Sequence, residues 1–297
     1  MRDLVYELKH LAQQHREGSY ATQANRQDML QLFGTQLVQE GGYIHMHAHE
    51  LKGRHINTLL RLWTEQQLSP ATLKNRLSVL RWWAKHVGNP GVLKPTNAAY
   101  GVPKRQTVAR VSKAKALPTE ALIKVKDPYV RMSLQLQRAF GLRREESIKM
   151  KPWQADQGDR LVLQGSWCKG GRPREIPIRT LAQREVLDKA KALVKMKHAA
   201  LIPPTKRYVD QLRCYEGQTR RAGLDHLHGL RHAWAHDRYL ELTGFACPVR
   251  GGPMREAMTP EQVHRDAEAR AIIAGELGHG RLEIAAVYLD TNALRAS

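Results

Sequence analysis

The sequence is poor in cysteine and has no long apolar run, and both shortages narrow its class. Its three cysteines, Cys168, Cys214 and Cys247, lie far apart and form no C-x-x-C pair. We therefore expect neither a disulfide framework nor a cysteine-based zinc site. No apolar run approaches the length of a membrane span, and Met1–His10 has no signal-peptide core. These features predict a soluble protein of the cytoplasm.

Acidic side chains are also scarce. The chain has 48 Lys and Arg against 28 Asp and Glu, which gives a net charge of +20 and a pI near 10.1. Charge of this sign attracts polyanions, of which nucleic acid is the commonest. An anionic membrane surface is the alternative, but the sequence has no lysine-rich amphipathic anchor with a wide apolar face. Nucleic acid is therefore the expected partner.

Two signatures of phosphate chemistry are missing as well. The sequence contains no P-loop, so ATP use has no support. It also lacks a carboxylate cluster suited to two metal ions, which disfavours metal-dependent strand hydrolysis. We expect no cofactor and no metal.

The 297 residues, 42% of them hydrophobic, are enough for two globular domains. Helical periodicity predicts four helices in the first hundred residues, from Leu4, over about 21–38 and 50–66, and from Pro70. Ser69 can cap the last of them and Gly88 can end it. Residues 1–102 therefore predict a helical domain.

Two polar patterns in this domain have functional interpretations. The fourth helix carries basic residues with no acidic residue among them, so it is a candidate DNA-binding surface: Lys74, Arg76, Arg81 and Lys85. His45, His47 and His49 alternate, as metal ligands on a strand can do. Because no acid or cysteine completes the set, a polar loop is the better interpretation.

Residues 103–117 have a linker composition. They contain five basic residues, among them Lys104 and Arg105, and no acidic residue. Such a linker would bind DNA phosphates. We place the domain boundary here.

Residues 118–297 predict a second, mostly helical domain with one small β-element. Residues 160–164 and 174–178 have the character of short strands, and the segment between them contains Gly170-Gly171, typical of a hairpin. Lys169 lies on this hairpin. Further helices are predicted at 181–198, 208–221 and 260–277.

The last of these helices leads into Gly278-His279-Gly280, which breaks the pattern before a second amphipathic run. Tyr288 lies beside the apolar stripe of that run. A tyrosine there can simply fill a core with its hydroxyl at the edge.

Six residues of this domain could together perform phosphoryl transfer. His228 and Arg231 are three apart and share a helix face. Arginines with histidines can hold a phosphoryl group as it gains charge, a lysine can protonate a leaving alkoxide, and a tyrosine can attack phosphorus. The candidates are Arg143, Lys169, His228, Arg231, His279 and Tyr288.

These residues, in this order, resemble the tyrosine recombinase (phage integrase) family. GLRREES is similar to the family's first arginine box, with Arg143 as the catalytic arginine and Glu146 at the supporting acidic position. HGLRHAWA resembles the second box, and ELGHGRLEIAAVYL the terminal box, in which His279 precedes Tyr288 by nine residues. Lys169 matches the hairpin lysine, with Arg172 and Arg174 as nearby basic alternatives.

The resemblance implies a fold that is mainly α with a small β-hairpin: an N-terminal core-binding (SAM-like) domain and a catalytic domain, closed around duplex DNA as a C-shaped clamp. It implies a site-specific recombinase that cuts and rejoins DNA through a 3′-phosphotyrosine. Four protomers would act on two DNA sites, with possible accessory DNA-bending or directionality factors. A type IB topoisomerase and a non-catalytic DNA-binding factor of the same fold are the alternatives.

Two features depart from the family pattern. Arg231 and His279 are 48 residues apart, and residues 243–258 have the character of an insertion. Only nine residues follow Tyr288, which is short for a segment that docks on a neighbouring protomer.

Overall fold

The structure, a computed structural model, describes residues 4–103 and 111–289, without the side chains of 282 and 283. It divides into two compact units, Met1–Gln106 and Thr107–Ser297. The division falls inside the segment predicted as a linker. Lys104 and Arg105, predicted to contact DNA, lie outside the described residues.

Four helices build the first unit, and all four were predicted. They are α1 Leu4–Gln14, α2 Tyr20–Gln39, α3 Gly53–Glu65 and α4 Pro70–His86. Their apolar faces meet in one core around Phe33, Trp63 and Trp83. The predicted start of α4 is confirmed, because the Ser69 hydroxyl accepts a hydrogen bond from the Thr72 amide at 3.2 Å.

The four basic residues of α4 do not form one free surface. Lys74 and Lys85 are exposed. Arg81 donates hydrogen bonds to the Asn97 side chain (2.7 Å) and the Lys94 carbonyl (3.2 Å). Arg76 lies roughly 200° around the helix from Lys74 and holds its guanidinium 5.1 Å from the Trp63 ring centre. Two of the four are therefore engaged within the unit.

The alternating histidines lie in a loop that ends in a 3₁₀ turn, Ala48–Glu50. His47 pairs through Nδ1 with the Glu7 carboxylate at 2.7 Å and stacks on His49. The loop is thereby tied to α1.

The second unit contains nine helices and a two-stranded antiparallel sheet among its described residues. Their bounds are α5 Thr119–Lys124, α6 Pro128–Phe140, α7 Arg144–Lys149, α8 Pro152–Ala155, β1 Arg160–Leu163, β2 Arg174–Pro177, α9 Leu181–Leu193, α10 Tyr208–Arg221, α11 Gly229–Thr243, α12 Pro260–Glu276 and α13 Ala286–Leu289.

Helix α11 is the central element of this unit. Most of its residues are buried, because α6, α12 and α13 pack around it. A helix covered on several sides must pair its polar side chains internally. The arginine and histidines of α11 are therefore shielded from solvent and depend on partners within the protein.

The predicted hairpin is confirmed within one residue at each strand end. Arg160 pairs with Pro177 and Leu163 with Arg174. The connection is longer than a tight turn and includes two 3₁₀ turns, Gly165–Trp167 and Lys169–Gly171. Gly170 and Gly171 both have positive φ, which places Lys169 at the start of a glycine-dependent bend.

The segment predicted as an insertion folds compactly after α11. It contains two 3₁₀ turns, Pro248–Arg250 and Arg255–Ala257. A side chain at Gly252 would overlap the Ala246 carbonyl oxygen, at 1.6 Å, so only glycine fits the reversal.

The amphipathic run before Tyr288 repeats its apolar residues at helical spacing, which favours a single helix. It is a 3₁₀ turn, Leu282–Ala285, followed by the short α13.

No helix in the described part of the chain has the length and apolar character to cross a membrane.

Candidate active site

The first arginine box forms a sharp corner between α6 and α7. Gly141 ends α6 with φ +61°, and a side chain there would lie 2.8 Å from the Trp234 ring. Arg143 is then the N-cap of α7, and Glu146 accepts a hydrogen bond from the Arg143 amide at 2.6 Å. The G-L-R-R-E-E spacing thus turns the chain and points Glu146 back at Arg143.

Glu146 is fully buried and joins several arginines. Its carboxylate accepts hydrogen bonds from the Arg143 side chain (2.7 Å) and from both terminal nitrogens of Arg174 (2.9 and 2.7 Å). Arg231 Nη1 lies 4.0 Å away. Burial alone would raise the pKa of Glu146, but the bonds and charge of Arg174, with the charges of Arg143 and Arg231, lower that pKa to about 2. Glu146 is therefore an anion with little capacity to act as a base.

Arg231 is the buried cation at the centre of the cluster. Only 1% of its surface is exposed. It donates to the carbonyl oxygens of Gly141 and Leu277, and its Nε lies 3.2 Å from the Tyr288 hydroxyl. A guanidinium this deeply buried is costly without an anionic partner, and Glu146 is the nearby anion. Two backbone carbonyls provide the rest of its support.

His279 lies between two glycines for steric reasons. Gly278 has φ +67°, and a side chain there would meet Arg174 Cδ at 2.8 Å. A side chain at Gly280 would overlap the Arg172 guanidinium, at 1.7 Å. The two glycines therefore let two hairpin arginines approach the backbone on either side of His279.

The imidazole of His279 is neutral in this setting. Burial, followed by the charges of Arg231, Arg143 and Arg174, lowers the pKa of His279 to about 3. Its Nε2 lies 3.5 Å from Arg231 Nη2. Burial first, then Arg231 and Arg143, also lowers the pKa of His228.

Tyr288 is almost fully buried and faces three histidines, namely His228 at the N-cap of α11 and two within the helix. Its hydroxyl is 3.5 Å from His228 Nε2, its ring centre is 4.6 Å from that of His232, and its carbonyl lies 2.8 Å from His236 Nε2. Because an unprotonated carbonyl oxygen only accepts, His236 must donate from Nε2. Tyr288 thus fills a core position, as one interpretation of the sequence expected, and its hydroxyl also lies beside the Arg231 cation.

Lys169 differs from the buried residues of this cluster in its exposure. It is exposed, and it makes no ion pair with another residue in the described ranges. Of the alternatives, Arg174 is committed to Glu146, whereas Arg172 lies against Gly280. The structure thus brings together five predicted residues and Glu146, and leaves Lys169 on the bend of its hairpin.

The segment that begins at residue 111, where the described chain resumes, reaches the same site. The Lys115 amide donates to the Gly229 carbonyl at 3.0 Å, and a side chain at Gly229 would meet the Lys113 carbonyl at 2.5 Å. Gly229 follows His228 directly. This part of the predicted linker therefore packs against the start of α11.

Three residues contribute in ways that were not predicted: Arg174, named before only as an alternative to Lys169, and His232 and His236. Arg174 alternates with Ile176 as an inward position of β2, a signal that the two-residue period of a strand could have given. His232 and His236 follow His228 at intervals of four, on one face of α11. Burial first, then the charges of His228 and His236, lowers the pKa of His232 to about 4.

No metal site is evident in this cluster. Within residues 4–103 and 111–289, no group of three or more His, Cys, Asp or Glu side chains is placed to hold a metal ion. The anionic oxygens of Glu146 are already bonded to arginines.

Comparison with known proteins identifies the family. The model for the N-terminal domain of phage integrases matches residues 1–91, and the integrase model matches residues 104–237. The chain belongs to the phage integrase family of tyrosine recombinases. The family models end before His279 and Tyr288, so the terminal box rests on the geometry above. No curated protein sequence matches the chain.

Solved structures of this family share the fold. A lambda integrase dimer bound to a COC′ core site aligns over 99% of this chain and 78% of its own, with a TM-score of 0.60 and 17% identity. XerH bound to palindromic difH aligns over 97% and 81%, with a TM-score of 0.57 and 15% identity. The Tn1549 transposon integrase with circular intermediate DNA aligns over 97% and 95%, with a TM-score of 0.54 and 13% identity.

Proposed function

We propose that this chain is a site-specific DNA recombinase that cuts and rejoins duplex DNA through a 3′-phosphotyrosine. One observation carries the proposal: the Tyr288 hydroxyl lies 3.2 Å from Nε of a buried arginine, Arg231. A phosphate diester entering there would replace the hydroxyl as the partner of that guanidinium. The hydroxyl would then be adjacent to phosphorus.

The chemistry assigns a role to each residue of the cluster. The Tyr288 oxygen forms a bond to phosphorus as the bond to the 5′-oxygen breaks. Arg143, Arg231 and His279 stabilise the charge that develops on the non-bridging oxygens. His228, neutral because it is buried, accepts the tyrosine proton, and Lys169 donates a proton to the leaving 5′-oxygen.

Glu146 sets the orientation of the arginines rather than taking part in proton transfer. Its pKa of about 2 keeps it ionised, and its carboxylate accepts hydrogen bonds from the Arg143 amide and from the side chains of Arg143 and Arg174. A fixed anion behind the arginines holds their donors at the phosphate side before substrate arrives.

The phosphotyrosine conserves the energy of the diester bond, so rejoining needs neither ATP nor a metal ion. The partner is double-stranded DNA, held by both units as a clamp. Because structural neighbours include a lambda integrase tetramer bound to a Holliday junction, we propose four protomers on two DNA sites. Because the Tn1549 transposon integrase is a structural neighbour, we propose that this chain acts for a mobile genetic element. Accessory bending or directionality factors, and a nucleoid location in the cytoplasm, complete the proposal.

Trapping the covalent intermediate tests the function. The purified protein is incubated with a pool of nicked duplexes of varied sequence, and SDS-stable complexes are recovered and sequenced. We expect adducts at one sequence, carried by Tyr288. Tyr288→Phe should bind the recovered DNA with unchanged affinity and form no adduct, because only the nucleophilic oxygen is removed.

The matched control is Tyr239→Phe. The Tyr239 hydroxyl is bonded to Asp266 between α11 and α12, so its loss should lower thermal stability and leave the adduct. Adducts formed by Tyr288→Phe would refute the assignment. DNA binding without any adduct would indicate a non-catalytic binding factor, and adducts without sequence preference would indicate a topoisomerase.

A further inference from the structure

Arg174 is not one of the residues matched to the family motifs. It nevertheless makes more contacts with the site than Lys169, the hairpin residue that is matched. Arg174 is 7% exposed, although arginine on a two-stranded sheet is ordinarily a surface residue. Its guanidinium binds both oxygens of Glu146, and its Nε donates to the Glu276 carbonyl at 2.9 Å. The cost of burying this charge is offset by an oriented anion, a carbonyl and a weaker hydrogen bond from Nη1 to Cys168 Sγ at 3.4 Å.

The contacts of Arg174 join three separate segments of the site. Through Glu146 it reaches the corner that holds Arg143. Through the Glu276 carbonyl and Gly278 it reaches the turn that carries His279. Its own strand, β2, carries the hairpin on which Lys169 lies.

We propose that Arg174 is a positioning residue for strand cleavage. It fixes the Glu146 carboxylate in its ionised form, and Glu146 in turn fixes the Arg143 guanidinium. It also fills the space that Gly278 leaves open, which sets the path of the backbone into His279. Arg174 touches no reacting atom in this scheme, and the inference rests on the proposed recombinase function.

Geometry favours this role over general acid catalysis by Arg174. All three guanidinium nitrogens have partners: Glu146 for the two terminal nitrogens and the Glu276 carbonyl for Nε. A guanidinium also keeps its proton at any pH used by proteins. Arg174 therefore orients charge and does not move a proton.

The test uses the full chain and a suicide duplex carrying the sequence mapped by covalent trapping. Arg174→Met keeps the length of the side chain and removes its charge and donors. We expect single-turnover cleavage at pH 8 to fall by about 10²-fold, the typical effect of misplacing a catalytic group by about 1 Å. DNA affinity should change less than twofold, because Arg174 faces Glu146 rather than solvent.

The pH profile separates positioning from a merely structural role. Without Arg174, Glu146 loses its main cationic partner and its pKa rises, so cleavage by Arg174→Met should decline further as the pH falls from 8 to 5. Adding Glu146→Gln should abolish that decline, because the residue that titrates is gone. The double variant should also be no slower at pH 8 than Glu146→Gln alone.

Two variants keep the result interpretable. Arg174→Lys preserves a cation and one hydrogen bond; it should fold, retain intermediate activity and show a weaker decline at low pH. If Arg174→Met does not fold, this variant carries the test. Arg160→Met, on the neighbouring strand and half exposed, should behave as wild type.

The outcomes distinguish the two proposals. A wild-type protein that forms no adduct would refute the recombinase function itself. Wild-type adducts with an equally active Arg174→Met would overturn only the positioning role. A loss that is independent of pH and additive with Glu146→Gln would also overturn it, since that is the behaviour of general destabilisation.

Discussion

At the scale of single residues, the histidines around Tyr288 are held neutral. Burial and neighbouring arginines lower the pKa of His279 to about 3, and burial lowers that of His232 to about 4. Their folded pKa values lie below the ordinary value near 6.5, so protons bind preferentially to the unfolded chain as the pH falls. The stability that neutral burial permits is complete above that value and declines below it.

This arrangement predicts two pH responses. The midpoint temperature of unfolding should fall from pH 7 to pH 5, while single-turnover cleavage by the folded protein stays flat from pH 7.5 to pH 5.5. His279→Gln keeps a donor and should reduce the thermal decline. An acidic limb of cleavage centred near pH 6.5 in the wild type, absent from His279→Gln, would show that His279 acts as a cation.

The sequence could predict which residues belong to the site but not all of their partners. Arg143, His228, Arg231, His279 and Tyr288 are identifiable from motif order, and the structure groups them. Arg174 was considered only as a substitute for Lys169. Its role depends on a contact between β2 and α7 across 28 residues, which local patterns do not reveal.

At the scale of elements, the hairpin separates the two basic residues that could serve the leaving group. Lys169 is exposed at a bend formed by two positive-φ glycines, and Arg172 lies against Gly280. If Lys169 is the acid, Lys169→Ala should slow cleavage by about 10²–10⁴-fold. DNA binding should hardly change, because one contact among many is lost.

A 5′-bridging phosphorothiolate substrate identifies the defect, since a thiolate leaves without an acid. It should restore Lys169→Ala to near wild-type cleavage and leave Arg143→Ala and Arg231→Ala defective, because these arginines stabilise charge on phosphorus. Arg172→Ala is the matched comparison. Rescue of Arg172→Ala instead of Lys169→Ala would mean that the leaving-group residue lies on this hairpin but is Arg172, not Lys169.

Element boundaries were predictable where capping and turn residues mark them. Ser69 and Pro70 locate the start of α4, and the strands agree within one residue. The prediction of one helix before Tyr288 was partly wrong, because the first turn of that segment is 3₁₀ rather than α. Periodicity of three to four residues does not distinguish the two over so short a segment.

At the scale of the whole molecule, positive charge is shared by both units. Residues 1–106 carry 14 basic and 7 acidic side chains, and the remaining 34 basic and 21 acidic side chains lie in residues 107–297. The exposed lysines of α4, Lys74 and Lys85, belong to the first unit. If both units grip one duplex, each contributes phosphate contacts, and neither alone has the full salt dependence.

The salt dependence of DNA affinity tests this division. Each neutralised phosphate contributes a slope of about −0.9 in log K against log salt. Lys74→Gln with Lys85→Gln should therefore flatten the slope of the full chain by up to about 1.8, and a fragment of residues 107–297, checked for folding by circular dichroism, should flatten it further. Lys9→Gln with Lys52→Gln removes the same charge from exposed positions outside α4 and should leave the slope nearly unchanged. Equal flattening by both pairs would mean that total charge, and not the α4 surface, governs binding; an unchanged slope in the fragment would exclude a clamp formed by both units.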